Sequence, residues 1–419
     1  MSKIQTFWQS YKQTLLLLGG IIIGGTIGFL WPGVAPYLKP VGDIFMNSLF
    51  VLIVPLVFFS VSNSVANLTR RNLLGRMLGS SLSVWLVMIL VAAVLTYVIM
   101  LIYNPIEIGA NLMAEGVEIA AAQERSIGEL IVNTVTVSDF QDLYSIRHIL
   151  PLMLVAVLTG VSAAKLDSDA VCGFFEKGND MTGKALEILM VAGPLGLGCY
   201  FAAVAADMGS MLVVGYGRIL LTYIAITVLF FFIIHPLIYA VLYSSPKGEV
   251  ADRPEGSVRK GRMATYWSAI LSPTVTALST LSSSASMPAN LKACKQLGVD
   301  DDVAESTIPI GTHLFKFGSG VACTQKVIFV LLLSGQSIAD PTTALVIVGM
   351  AILASMVVGA VPTGAGTAEL LICSMVGADP KLVGLIMVIS TLVDMPATLL
   401  NVNGNMTATL LINKLMKKK

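Results

Sequence analysis

Residues 308–320 read Ile-Pro-Ile-Gly-Thr-His-Leu-Phe-Lys-Phe-Gly-Ser-Gly, and the stretch beyond them, to Leu333, is predominantly apolar. Pro309, Gly311, Lys316, Gly318 and Gly320 therefore fall inside a segment otherwise apolar enough to cross a bilayer. Backbone groups freed by a break find no water in hydrocarbon. A break at that depth is tolerated only where protein or an aqueous site surrounds it. Lys316 sharpens the point, because a lysine at the centre of a spanning helix costs roughly 3 kcal/mol or more and needs a partner or a task. The stretch predicts a broken helix whose break lies at a site and not against lipid.

The same punctuation recurs across the last third of the chain. Ser282-Ser283-Ser284 precede Pro288, Gly359–Gly366 surround Pro362, and Asn401–Thr407 surround Gly404. All four clusters read as interruptions. Their order is repetitive: a hairpin with a small-residue tip, a broken helix, then the pair again. Two such units in opposite orientation are how an inverted-repeat secondary transporter builds a site at the membrane midplane.

Upstream the apolar runs are continuous. Full spans are expected near residues 14–31, 42–66, 76–103, 144–164, 182–206 and 212–243, each near the ~20 residues a spanning helix needs. The 419 residues are 55% hydrophobic and 12% charged, with mean hydropathy +0.82. A soluble chain carries about 25% charge, so the lipid bilayer is the expected surroundings. Met1–Gln13 is polar with no cleavage site behind the first run, which reads as a retained helix. Arg70, Arg71 and Arg76, the basic residues between Lys247 and Arg262, and Lys414–Lys419 mark cytoplasmic ends. The segment 104–126 carries Glu107, Glu115, Glu118 and Glu124 against one Arg125 and falls outside. Both termini are then cytoplasmic.

Several functions lose support. A net charge of +1 excludes a nucleic-acid partner held by bulk charge. Five scattered cysteines form no zinc or disulfide spacing, and no metal or cofactor is expected. No nucleotide-binding or hydrolase signature occurs. The serines at 282–286 lack an evident general base, so an enzyme is the least supported class.

At these motifs the chain resembles the dicarboxylate/amino acid:cation symporter family, the glutamate and neutral amino acid transporters. Asn47–Phe59 looks like its second helix, Ser282–Pro288 like its first hairpin tip, and Ile308-Pro309-Ile310-Gly311 like its seventh helix. Gly359–Gly366 is similar to its second hairpin tip, and Asp394–Asn405 to its eighth helix. The resemblance implies an all-α polytopic fold of eight transmembrane helices plus two re-entrant helical hairpins, working as an elevator in a homotrimer. It divides the chain into scaffold helices in 1–75 and 104–206 and a moving transport domain in 76–103, 207–246 and 247–419.

It also implies roles. Asp394 aligns with the carboxylate that holds a substrate's α-amino group. Asn401 aligns with the holder of the α-carboxylate, assisted by Ser283 and the hairpin tips, and Thr398 matches as well. Ser282, Ser284, Ser319, Val361, Pro362 and Gly364 complete the expected lining. Asp394, Thr398 and Asn401 stand at i, i+4 and i+7 and share a helix face.

Departures from the family pattern are as informative. Ala397 stands where acidic amino acid transporters carry an arginine for the side-chain carboxylate, which implies a neutral substrate side chain. Leu281 stands where some members carry arginine. The seventh-helix motif Asn-Met-Asp-Gly-Thr reads Phe315-Lys316-Phe317-Gly318-Ser319, and the eighth-helix sodium ligand has become Asn405. The third-helix ligands fall on Trp85, Met88 and Ile89. A hard cation needs several oxygen donors, and phenyl rings supply none.

The expected function is sodium-independent transport of an amino acid. Lys316 either replaces a coupling cation or is held as a static charge. Candidate proton carriers are Lys316, Glu369, His313 and Asp394, with Glu369 placed to pair with Lys316 or Lys326. His235, beside Pro236, reads as structural. A dicarboxylate or organic-anion carrier in which Lys316 meets the anion, and an anion-conducting member, are the alternatives.

Overall fold

The computed structural model describes residues 3–70, 76–103, 132, 136–145, 148–166, 168–208, 210–242, 262–360, 367–376, 378 and 382–417. The described residues are helical throughout, apart from turns and short connections. Among the described residues, five helical stretches are long and apolar enough to cross a membrane: Pro32–Asn67, Gly79–Ile102, Val214–Leu242, Asp301–Leu333 and Leu382–Lys417.

Helices α1 (Lys3–Leu30), α2 (Ala35–Arg70), α4 (Ile149–Lys165), α5 (Asp169–Val191) and α6 (Gly193–Met208) pack on one another. The α1–α6 contact has a simple cause. Gly20, Gly24 and Gly28 repeat every fourth residue and so face one way. A Cβ on them would lie 2.1, 1.9 and 2.0 Å from the carbonyl oxygens of Pro194, Gly198 and Ala202. Only glycine lets two backbones approach so closely, the small-residue packing that membranes favour.

One expected span is corrected here. Residues 182–206 do not form a single straight helix. The chain bends by 62° between Asp169–Met190 and Gly193–Ala206. Pro194 has no N–H to give the preceding turn and disfavours helix at the residue before it.

The second set is α3 (Arg76–Ile102), α7 (Ser210–Val228), α8 (His235–Leu242) and everything that follows. Between α7 and α8 the helix widens into a π turn at Leu229–Ile234. Pro236 comes just after it. Its missing N–H and its ring strip the carbonyl one turn earlier of a partner, and a wide turn is one way a helix absorbs this.

The first hairpin is α9 (Arg262–Thr280) and α10 (Met287–Gln296), with its tip at 281–286. Leu281 turns the corner at φ 51°, a left-handed conformation that costs a non-glycine residue about 1–2 kcal/mol. Next come α11 (Asp301–Leu314) and α12 (Phe317–Leu333), then α13 (Pro341–Ala360), α14 (Thr367–Val376) and the long α15 (Leu382–Lys417). The second hairpin tip, with Val361, Pro362 and Gly364, lies outside the described residues.

The break between α11 and α12 falls where the sequence places it. Phe315 (φ −111°, ψ 102°) is extended and Lys316 (φ −111°, ψ 76°) is non-helical. The expected break at Asn401–Thr407 does not occur: α15 runs through it. Every residue from Leu400 to Leu410 is buried, so lipid never meets these polar side chains. Helical partners take up several of their hydrogen bonds instead. Thr407 donates to the Asn403 carbonyl, Thr409 to that of Asn405, and Asn405 Nδ2 to the Ile308 carbonyl at 3.0 Å. Gly404 makes room for the ring of Phe317. What reads as a break is a packing surface.

Candidate functional site

The site is assembled where α12 begins against α15. The first N–H groups of a helix have no partner within it. Here Gly318 and Ser319 donate theirs to Asn401 Oδ1, at 2.8 and 3.3 Å. A side chain of α15 thus caps a helix 83 residues earlier in the chain. With its oxygen fixed by two donors, the Asn401 amide has one orientation. Its Nδ2 makes no hydrogen bond among the described residues and is not sealed from the surface. It is a donor held ready.

Asp394 and Thr398 share that face of α15. The Asp394 carboxylate, half-buried, has no hydrogen bond or salt bridge to a described residue, and neither oxygen is sealed in. The Thr398 hydroxyl is likewise unbonded. One helix face therefore presents an anion, a hydroxyl and an amide donor, none of them used by the fold. Such tips suit a small zwitterion: an ammonium for Asp394 and a carboxylate for the donors. Ala397 is buried with its backbone against Gly318.

Both arms of hairpin 1 pack on α15. Asn290 Nδ2 on α10 donates to the carbonyl of Val402 at 3.0 Å, one residue beyond Asn401. At the tip, Ser282 Oγ accepts from the Ala285 N–H at 3.2 Å and its carbonyl accepts from Ser286 Oγ at 3.0 Å. Those bonds shape the turn. Ser283, half-buried, and Ser284, exposed, are left for other work.

The region of the expected sodium ligands is filled with rings. Phe315 and Phe317 are buried. Trp85 of α3 stacks on Phe315 at 5.9 Å and 12° between planes. Phe317 meets Phe230 edge-on at 4.8 Å and His235 at 5.4 Å. Met88 and Ile89 are buried apolar residues of α3, and Ile89 lies against Gly320. Among the described residues no cluster of three or more His, Cys, Asp or Glu side chains could hold a metal. Asn405 offers an amide, its Nδ2 committed to Ile308 and Thr312 and its Oδ1 buried without a donor. The structural role given to His235 agrees with its complete burial among these rings, although neither nitrogen finds a partner.

The charged residues sort differently from the simplest expectation. Lys316 stands at the cap of α12 with no ion-pair partner among the described residues. The lysine paired beside this face is instead Lys326. Lys326 is buried, and its Nζ donates to Glu369 Oε1 at 2.5 Å. Ser390 Oγ donates to the same oxygen, and Glu369 Oε2 has no partner. Of the two partners open to Glu369 in the sequence, Lys326 is the one it has. His313 is exposed on the last turn of α11, with Lys316 as its nearby charge.

Sequence reasoning did not place Ser390 or Asn290 at the site, and it named Lys326 only as one of two partners open to Glu369. A lysine and a glutamate inside apolar runs were a signal that a pair exists. Nothing in the sequence chose the pairing across 43 residues.

Known proteins extend this geometry. A model of the sodium:dicarboxylate symporter family matches residues 14–251 and 256–415. The chain is 24% identical to a proton/glutamate-aspartate symporter of Bacillus subtilis, over 95% of this chain and 93% of the relative. It is 23% identical to a serine/threonine transporter of Acinetobacter baylyi, over 95% and 96%. It is 25% identical to a C4-dicarboxylate transport protein of Stenotrophomonas maltophilia, over 97% and 88%. With its apolar helices and its unbonded polar face, the chain belongs to the sodium:dicarboxylate symporter family, a family of multi-pass membrane transporters and not of enzymes.

Proposed function

We propose that the protein carries an α-amino acid with a neutral side chain across the cell membrane, without sodium. The observation that carries this reading is the face of α15 on which Asp394, Thr398 and Asn401 Nδ2 carry groups with no bond to a described residue. An ammonium needs a carboxylate partner when it leaves water, and Asp394 is a carboxylate with no partner of its own. Ala397 brings no charge to meet a second carboxylate. The stacked rings of Trp85, Phe315 and Phe317 support sodium independence, because hard cations take oxygen ligands.

The finer reading follows the family. The two packing sets of helices suit an elevator, with α3 and α7–α15 moving against α1, α2 and α4–α6. The assembly is a homotrimer with both termini cytoplasmic. Lys316, standing in the break with no ion-pair partner, serves as a tethered cation in place of a soluble one, and proton coupling or exchange supplies the driving force.

A second reading rests on the same lysine. Lys316 stands at the N-terminus of α12, where the helix dipole is also positive. Two positive features suit a second carboxylate, as in a C4-dicarboxylate. A thermal-shift screen separates the two: neutral amino acids, aspartate, glutamate, succinate and malate are added to purified protein in sodium chloride and in choline chloride. A ligand at a hundred times its Kd adds about 2.7 kcal/mol of stability. Shifts with neutral amino acids, equal in both salts, support the first reading. Shifts with succinate or malate alone replace it with the second.

A further inference from the structure

Lys326 donates to Glu369 Oε1, and Ser390 of α15 donates to the same oxygen. Asp394 stands four residues on from Ser390, one helical turn along the face read above as the substrate site. Three helices meet there: α12 brings Lys326, α14 brings Glu369, and α15 brings Ser390 and Asp394. The Lys326–Glu369 pair is sealed, with side chains 5% and 1% exposed. Asp394 is not sealed.

We propose that Lys326 is a shared counter-cation that competes with the substrate's ammonium for Asp394, and that Glu369, aided by Ser390, holds it off. The inference rests on the amino-acid reading above and deepens it. With Glu369 ionised, the ammonium of Lys326 stays on Oε1, and Asp394 is free for the incoming amine. When Glu369 is neutralised, its hold on Lys326 weakens. A lysine ammonium on a flexible four-carbon stem then turns to the remaining carboxylate, Asp394, and fills the place of the substrate's amine. Glu369 and Lys326 are positioning residues in this scheme, since neither touches the substrate.

The other groups that face this pair are few. Cys323 of α12 lies near both Lys326 and Glu369, and near Tyr223 of α7. Tyr223 also feels Asp394 and donates its hydroxyl to the Gly318 carbonyl at 2.7 Å. Cys373 stands on the same helix as Glu369. Of the remaining helices packed on α14, α13 brings no ionisable side chain, and α4 brings only Lys165, its last residue.

The test measures equilibrium binding of L-serine and L-leucine, a small and a bulky neutral amino acid, to the full-length purified chain. Three proteins are compared: the parent, Glu369→Gln, and the double variant Lys326→Met/Glu369→Gln. The expected result is a tenfold or larger loss of affinity in Glu369→Gln and recovery to within about threefold of the parent in the double variant. If the single variant does not fold, Ser390→Ala decides: it takes one of the two hydrogen bonds from Glu369 Oε1 and should weaken binding at least threefold in the parent and not in the double variant. Unchanged affinity in a folded Glu369→Gln, or an equal effect of Ser390→Ala in both backgrounds, overturns the proposal while leaving the amino-acid reading intact. A parent that binds neither amino acid refutes that reading and this inference with it.

Discussion

Asp394→Asn separates a binding carboxylate from a framework one, because the two roles predict opposite outcomes for the empty protein. The change keeps the shape of the side chain and removes its charge. Asp394 makes no hydrogen bond or salt bridge to a described residue, and Lys326 keeps Glu369 as its partner. The fold therefore loses no direct bond. A half-buried carboxylate without a bond is itself a cost, so the thermal midpoint of the ligand-free variant should hold or rise. The substrate loses far more. Its ammonium would face an amide, with Lys326 behind it. Removing one partner from a buried charge pair costs about 3–5 kcal/mol, so affinity for neutral amino acids should fall at least a hundredfold, about 2.7 kcal/mol. The assay is paired: a melt without ligand and a binding isotherm, on the same preparation in detergent. A variant that melts several degrees lower yet binds within threefold of the parent would refute the reasoning, because Asp394 would then be holding the fold.

Three further outcomes follow from the structure. Affinity for the best amino acid should differ by less than threefold between sodium chloride and choline chloride, and a gain of tenfold or more with sodium would show that the rings at Trp85, Phe315 and Phe317 do not exclude the ion. Gly20→Leu should lower the melting temperature sharply while its neighbour Gly19→Leu should not, since a Cβ at residue 20 lies 2.1 Å from the Pro194 carbonyl oxygen and one at residue 19 meets nothing within 4 Å; overpacking of this kind costs about 1–3 kcal/mol, and equal midpoints would mean that α1 and α6 do not touch this way. Lys316→Met should weaken neutral amino acid binding without creating sodium dependence, as read by titration in both salts; a loss confined to succinate and malate would favour the dicarboxylate reading.

The break at Phe315-Lys316 was legible because its residues are poor company for lipid: a lysine, then Gly318 and Gly320, inside an apolar run. The face of Asp394, Thr398 and Asn401 was legible from helical spacing. Asn401–Thr407 misled for a physical reason. Small polar residues weaken a helix that faces lipid, but the same residues let a buried helix approach its neighbours, and sequence alone does not show which surrounds them. The bend before Pro194 was missed because the apolar run continues across it, and hydropathy does not register direction. The Lys326–Glu369 pair lay beyond reach for another reason. Ion pairing depends on where three helices cross, and the residues themselves were equally compatible with a pairing to Lys316.

Asn401 carries a consequence for how such a protein can change over generations. One atom of its amide caps α12, and the other, in the amino-acid reading proposed above, meets the cargo. Replacement by alanine would leave two helix N–H groups without their acceptor, and replacement by aspartate would keep the cap but withdraw the donor. No single exchange tunes recognition there without also unsettling the helix. Asp394 and Thr398 carry no such second duty, so drift toward a new cargo has room at those positions and is blocked at 401. On that reading the end of the site that takes the substrate's carboxylate is inherited with the fold, and what surrounds it is open to selection.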